Sequence, residues 1–285
     1  SLGALLASLS PVNAQAPNTV AANNPNLRTG SLNATWFAVM LPTPKVQAAV
    51  GYPLLDVPDF FPAGTHPVLV SSGYTYDVRM SVLRIQDLRQ TSIYVPYTDF
   101  TKDGKTALNY PLALYIGGEN GQLASGVVPS LASILLEGDF LLPGDFQPGM
   151  AAYQAIDANT YTSQTQMSLV PNPVSGPGVE PPVLDLTFQT DANPPYNQST
   201  WHEMINQPIV LTSGVVKGMC QRNTYYFNET FADPVFRVGT VTIYNDPAVP
   251  NNPPMSVTGT FSNVMGYGAI GENVGYNPED CHAAA

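Results

Sequence analysis

Apolar residues alternate with polar ones along much of this chain. Between residues 74 and 88, Tyr74, Tyr76, Val78, Met80 and Val82 occupy every second position, the period of a half-buried strand. Shorter runs at 36–41 and 66–71 have the same character, as does the β-branched and aromatic run at 91–97. Asp103-Gly104, within the polar stretch 99–105, predicts a turn. It makes a hairpin of 91–97 and the next strand, 108–116, which Gly117, Gly118 and Gly121 then break. The second half predicts strand after strand, at 160–170, 183–190, 207–218, 223–227, 235–243 and 255–261. Proline-rich breakers separate them at 171–182 and 246–254. Helical spacing is rare. Leu131, Ile134 and Leu135 show it within 125–136, with Pro129 in the first turn, and 46–50 predicts one turn before Gly51-Tyr52-Pro53. Trp201 to Glu203 reads as loop. No period of 20–50 residues recurs, so a propeller or solenoid is excluded. The pattern predicts a mainly β protein, with residues 17–285 forming one β-rich domain that begins with an extended, Asn- and Pro-rich arm.

Composition sharpens this picture. Hydrophobic residues make up 44% of the chain and charged residues only 11%, against roughly 25% in an average soluble protein. The 28 prolines and 23 glycines suit a rigid, loop-rich β fold. The net charge of −11 and the scattered basic residues repel nucleic acid and anionic membrane surfaces. No segment has the roughly 18 uninterrupted apolar residues of a membrane span. Residues 1–16 read as the remnant of a secretory signal, an apolar stretch followed by Val12-Asn13-Ala14-Gln15-Ala16. Cleavage after Ala14 is favoured, because Pro17 disfavours a cut after Ala16. Sequons at Asn33, Asn197 and Asn228 are glycan acceptors in a secreted protein. In an oxidising compartment Cys220 and Cys281 pair and tie the C-terminal segment to the body; two buried thiols are the alternative.

Signatures of cofactor chemistry are missing from the sequence. It has no dinucleotide or phosphate loop, no nucleophile elbow, and no metal-ligand spacing among its three histidines, so no cofactor or metal is implied. A Schiff-base lysine needs a pKa lowered by burial or by a cationic neighbour. Of Lys45, Lys102, Lys105 and Lys217, only Lys217, ending the apolar run 209–216, suits that role. Arg79, Arg84 and Arg89 lie in or beside one predicted strand. Arg84 and Arg89 have opposite parity and face opposite sides. One of them, pointing into a barrel, would bind a carboxylate or carbonyl oxygen; the alternative is surface pairing with Asp77 or Asp87. Arg84, Tyr97 and Tyr115 are candidate catalytic residues. Trp36, Arg79, Tyr94, Trp201 and His202 are candidates for binding an apolar small molecule, aromatic bodies with polar tips being suited to a pocket.

Residues 110–140, YPLALYIGGENGQLASGVVPSLASILLEGDF, resemble the core segment of the acetoacetate decarboxylase family. There a Gly-containing run leads to a Pro-Lys pair, and the lysine forms a Schiff base with a keto acid. Here the matching pair is Pro129-Ser130, and serine cannot form an imine. Tyr52-Pro53-Leu54-Leu55 resembles the family's short motif after its first helix, so the likeness spans about residues 46–140. It implies an antiparallel β-barrel or double sheet around a small-molecule cavity, with one or two short helices. It also implies a homo-oligomer, and it places Ser130 among the catalytic candidates. Without the amine, catalysis by positioning remains, with proximity contributing about 7–11 kcal/mol and a hydrogen bond to a carbonyl adding to it. That suits cyclisation, cycloaddition or dehydration. A secreted, cofactor-free protein of this composition is similar to orphan enzymes of filamentous-fungal secondary metabolism such as hetero-Diels–Alderases. The competing readings are a carrier of hydrophobic ligands and a decarboxylase with a displaced lysine.

Overall fold

The computed structural model describes residues 16–118, 141–168, 181–227, 231–245, 249 and 251–285. Its main feature is a closed barrel of nine strands, accompanied among the described residues by three short helices. Around the barrel run β4 (Leu108–Gly117), β3 (Leu83–Thr98), β2 (Thr65–Met80), β1 (Arg28–Pro42), β13 (Gly259–Gly275), β12 (Val235–Ile243), β8 (Pro182–Thr190), β7 (Thr160–Met167) and β5 (Leu142–Gln147). Neighbours are antiparallel except at the seam, where β4 and β5 pair in parallel through Tyr115–Leu142 and Ile116–Pro143. The shorter strands β6 (Gln154–Ala155), β9 (Ile209–Val210), β10 (Cys220–Gln221) and β11 (Asn223–Tyr226) attach at the edges.

All nine barrel strands contribute to one buried cluster, which identifies the interior face. Phe37, Val70, Ile93, Tyr115, Phe146, Met167, Leu186, Val241 and Val264 all belong to it. Because strand side chains alternate, every second residue from these positions faces inward. One end of the interior is closed by α1 (Thr43–Val50), whose Val46 and Val50 join that cluster. Pro44 occupies the first turn of α1, where its missing N–H costs nothing, and Gly51 ends it in a left-handed conformation at φ 71°. The opposite face of β1 and β13 packs under α2 (Gln198–Ile205), forming a second apolar layer of Trp36, Trp201, Met204 and Tyr267 outside the barrel. Across the other end lies the arm that precedes β1. Ala16 donates its N–H to Tyr76 Oη at 2.6 Å, and the buried Glu272 carboxylate accepts the N–H groups of Thr19 and Val20.

Several elements differ from the sequence pattern. The alternating run 74–88 is not one strand: it turns at Ser81–Val82, so β2 and β3 form the long hairpin. Only Ile209–Val210 of 207–218 is strand, and the following loop contains Gly214 and Gly218 at φ 66° and 88°. Trp201 to Glu203 lie in α2, capped by the Asn197 side chain, which accepts from Thr200 N at 3.0 Å. The helix expected at 125–136 lies outside the described residues. Cys220 and Cys281 form a disulfide across a separation of 61 residues, and it holds α3 (Cys281–Ala284) against β10. Among the described residues no helix is long and apolar enough to cross a membrane.

Candidate functional site

The barrel interior changes character along its length, and β7 shows the gradient. Met167 lies in the apolar half. One step on, Thr165 Oγ1 meets Thr91 Oγ1 at 2.7 Å. Ser163 follows, 2.8 Å from Ser72 Oγ and accepting from Arg89 Nη2 at 3.1 Å. Tyr161 comes last, with the Arg237 guanidinium 5.5 Å from its ring centre. The interior thus passes from hydrocarbon through hydroxyls to two guanidinium groups.

Arg89 is fully buried on β3. Its Nη1 donates to Gly73 O at 2.7 Å, and its guanidinium lies 5.1 Å from the Phe146 ring centre. Burial pushes its pKa down to about 9, opposed by neighbouring Tyr74, and it stays charged at neutral pH. Arg237, on β12, is 5% exposed. It lies 4.6 Å from the Tyr153 ring centre and 4.8 Å from that of Phe188, and its Nη2 donates to Tyr153 Oη at 2.9 Å. Neither guanidinium forms an ion pair with a carboxylate among the described residues, and the Nε of each lacks a hydrogen-bond partner. Thr35 Oγ1, on the inward face of β1, is likewise unpartnered. Burial, together with the charge of Asp87 and a hydrogen bond to it, raises the Tyr74 phenol to about 12, so Tyr74 remains a proton donor.

Glycines make this arrangement possible. A Cβ on Gly268 would lie 2.5 Å from Arg237 Nε, and one on Gly117 would lie 2.7 Å from the Phe146 ring beneath Arg89. Half-buried Asn33, Tyr153, Tyr161 and Phe231 surround the end of the interior nearest the arm.

The residues expected from sequence divide among three places. Arg84 is a correction: it is exposed near the hairpin tip, opposite Arg79 and away from the barrel interior. Arg89, the residue of opposite parity, occupies the interior. Arg79 is engaged with Asp77 at 2.6 Å. Tyr97 belongs to the outer layer, where its φ of 55° at a strand irregularity turns it away from the barrel. Its hydroxyl donates to Glu203 at 3.2 Å, and burial followed by that carboxylate raises its pKa. Trp36, Trp201 and His202 also lie in this outer layer. Trp201 stacks on Tyr267, while the His202 ring stacks on Phe227 with Nε2 3.1 Å from Tyr267 Oη. Among the described candidates Tyr115 points inward, but into the apolar half, beside Asn252. Ser130 lies outside the described residues, as does the sequon at Asn228. Asn33 is also a correction: it sits mid-strand between Tyr74 and Ile270 on the inward parity, inside the barrel wall and unsuited to carry a glycan in the folded protein. Asn197 is exposed. All four lysines are exposed, Lys217 included, so no lysine amine faces the interior.

A separate cavity of about 150 Å³ lies against the outer face of β1–β4, with Trp36, Leu69, Tyr94 and Tyr225 on its wall. The titratable side chains lining it are Arg28, Tyr94 and Tyr225. The unpartnered charges and convergent hydroxyls are in the barrel, which makes the interior the stronger candidate site.

No protein-family model matches the chain, and no curated protein matches it. Solved structures do. The enduracididine biosynthesis enzyme MppR complexed with pyruvate superposes with a TM-score of 0.50 at 10% identity, over 94% of this chain and 97% of its own. The same enzyme, complexed with the condensation product of pyruvate and imidazole 4-carboxaldehyde, gives 0.52 at 9% identity, over 96% and 98%. An acetoacetate decarboxylase gives 0.50 at 10% identity, over 89% and 87%. Identities this low establish the acetoacetate decarboxylase-like fold and nothing finer.

Proposed function

We propose that the chain is a cofactor-free enzyme that holds a small carbonyl compound inside the barrel and acts by positioning it. In this reading Arg89 and Arg237 hydrogen-bond the substrate's oxygens. The aromatic rings around Arg237 accept the apolar body of the substrate. The observation that carries the proposal is the inward pair of guanidiniums without carboxylate partners, in a barrel where no lysine amine faces inward. Fixed donors aimed at a carbonyl stabilise negative charge as it develops on oxygen, most strongly where water is excluded. Reactions that need only orientation and such polarisation are cyclisation, cycloaddition and dehydration. The disulfide supports a secreted protein working in an oxidising compartment.

Mass spectrometry tests this reading. The solved complexes of MppR with pyruvate and with its condensation product make carbonyl compounds the first substrates to try. A product isomeric with its precursor, or one that has lost water, formed by the wild type and not by Arg89→Gln, is the expected result. A ligand retained with unchanged mass and retention time would make the protein a carrier. Borohydride reduction in the presence of a turned-over substrate should leave the protein mass unaltered. A reduced adduct at Lys217 would restore imine chemistry and overturn the proposal.

A further inference from the structure

The cavity on the outer face of β1–β4 is a slender trough. Its floor follows the β2–β3 hairpin, where the cross-strand pairs Leu69–Tyr94, Ser71–Ser92 and Gly73–Gln90 line it, as do Val78–Ile85 and Met80–Leu83 farther on. That stretch of β2 covers roughly 35 Å at the ordinary strand rise. The floor is lowest at its centre. A Cβ on Gly73 would have its three nearest neighbours on β1 alone, with Ala34 Cβ at 3.2 Å, and Ser71 and Ser92 add only a hydroxymethyl each. Trp36 and Leu69 make one end bulky, and the aliphatic side chains of the hairpin form the other. An apolar cavity of about 150 Å³ accepts a molecule of benzene's size when it is compact, and a chain of similar bulk when it is drawn out like this one.

Asn109 sets the polar requirement. It is 2% exposed and lines the trough at the Trp36 end, where Tyr94 pairs with Pro111 and Asn109 itself with Ile209. Its amide nitrogen donates to Met204 O at 2.9 Å and to Gln207 O at 3.0 Å. Those two bonds fix which side of the amide is nitrogen, and Oδ1 is left buried without a partner among the described residues. A buried carbonyl oxygen without a donor costs free energy, so this end of the trough lacks an O–H or N–H. Charge is not what it lacks. No Asp, Glu, Lys or His lines the trough among the described residues, and the guanidinium of Arg28, at the hairpin end, donates to Asn223 at 2.8 Å. A carboxylate or a ketone brings no donor to Oδ1, and an ammonium would be desolvated there without a counter-charge. An uncharged hydroxyl fits.

We propose that this outer cavity is a second ligand site, one that takes a slender apolar alcohol. The hydroxyl donates to Asn109 Oδ1, and the hydrocarbon body lies along the trough over Gly73 towards the hairpin. The site is independent of the reading placed on the barrel interior. Ser72 and Arg89, which bond each other inside the barrel, alternate with Ser71, Gly73, Leu88 and Gln90, which line the trough on the opposite face.

The test is displacement of a neutral fluorophore, phenylnaphthylamine, from the whole protein by n-octanol, methyl hexyl ketone and n-octanoate. Octanol should compete at about tenfold lower concentration than the ketone or octanoate, the worth of one hydrogen bond to a buried acceptor. Ser71→Leu, which fills the trough, should weaken octanol by at least about tenfold. Asn109→Ala should bring octanol down to the level of the ketone and leave the ketone unchanged. Should that variant fail to fold, Ser71→Leu and the wild-type ratio decide. A folded Arg89→Gln protein should bind octanol as the wild type does. Octanol and ketone competing alike would overturn the hydroxyl contact with Asn109. Octanol binding that is indifferent to Ser71→Leu, or lost in Arg89→Gln, would overturn the trough as its site. Octanol that neither displaces the fluorophore nor gives heat in a direct titration would overturn the proposal outright, and the turnover experiment would still judge the barrel interior by itself.

Discussion

Gly268 and Arg89 show how much of the site depends on single atoms. Arg237 lies across the backbone of Gly268, so a methyl group there would force the guanidinium off its ring stack. Gly268→Ala is expected to weaken binding of the carbonyl substrate about tenfold, or roughly 1.4 kcal/mol, while costing the barrel about 1–3 kcal/mol by overpacking. Calorimetry paired with urea denaturation separates the two effects. Arg89 gives a pH dependence. Its pKa is depressed to about 9 by burial, below the ordinary arginine value of 12.5. Between those values the unfolded chain binds the proton and the folded chain does not, so this group makes stability rise with pH there. Pyruvate affinity moves the other way: it should be flat from about pH 6 to 8 and fall as pH passes about 9, because the charged guanidinium is the form that binds. Titrations across that range check it, and undiminished affinity at high pH would remove Arg89 from the site. Strand parity in the sequence predicts opposite sides for Arg84 and Arg89, but Leu83, Ile85, Leu88 and Gln90 all line one cavity, so the alternation breaks between 85 and 88. Which arginine lies inside depends on that break and on where β2 turns into β3, and neither is visible in the sequence.

At the scale of elements, what could be read in the sequence was set by side-chain alternation. β12 coincides with the run 235–243, and β8 begins one residue ahead of the run at 183; in β8 the inward Leu184, Leu186 and Phe188 alternate with polar Asp185, Thr187 and Gln189. β13 was largely missed. Its inward positions include Gly266 and Gly268, where Phe37 and Arg237 occupy the volume a side chain would fill, so the hydrophobic period disappears from the sequence although the strand runs for 17 residues. The cause is tertiary: a partner from another strand supplies the packing. α2 was missed for a different reason, being only eight residues long and read as loop around Trp201. Its signal was the cap, Asn197, directly before it. Asn197→Ala should therefore cost about 1 kcal/mol through the lost bond to Thr200 N. Because α2 covers the outer layer and not the interior, the loss should appear in thermal unfolding and leave affinity for the carbonyl substrate unchanged. A matching loss of affinity would mean that Trp201 and His202 belong to the binding site after all.

For the whole molecule, the net charge and the two buried guanidiniums have opposite signs. The chain carries a net charge of −11, while the barrel interior buries Arg89 and Arg237 together with Asp87 and Glu272, so attraction for an anion is confined to the guanidiniums themselves. An anion therefore approaches against the field of the whole protein and meets attraction only near the mouth of the barrel. The arm from Ala16 to Val20 crosses that end of the interior and is held by Tyr76 and Glu272, so entry is also sterically narrow. These features separate the kinetics of binding from its equilibrium. Screening lengths shrink from about 30 Å at 0.01 M salt to about 10 Å at 0.1 M, which suppresses the long-range repulsion more than the buried contacts. The association rate constant for an anionic carbonyl compound such as pyruvate should therefore rise with salt over that interval, with dissociation little changed. Stopped-flow fluorescence with pyruvate measures both. An association rate that falls with salt would mean that local positive potential at the mouth outweighs the net charge. The two arginines would then steer the ligand as well as hold it.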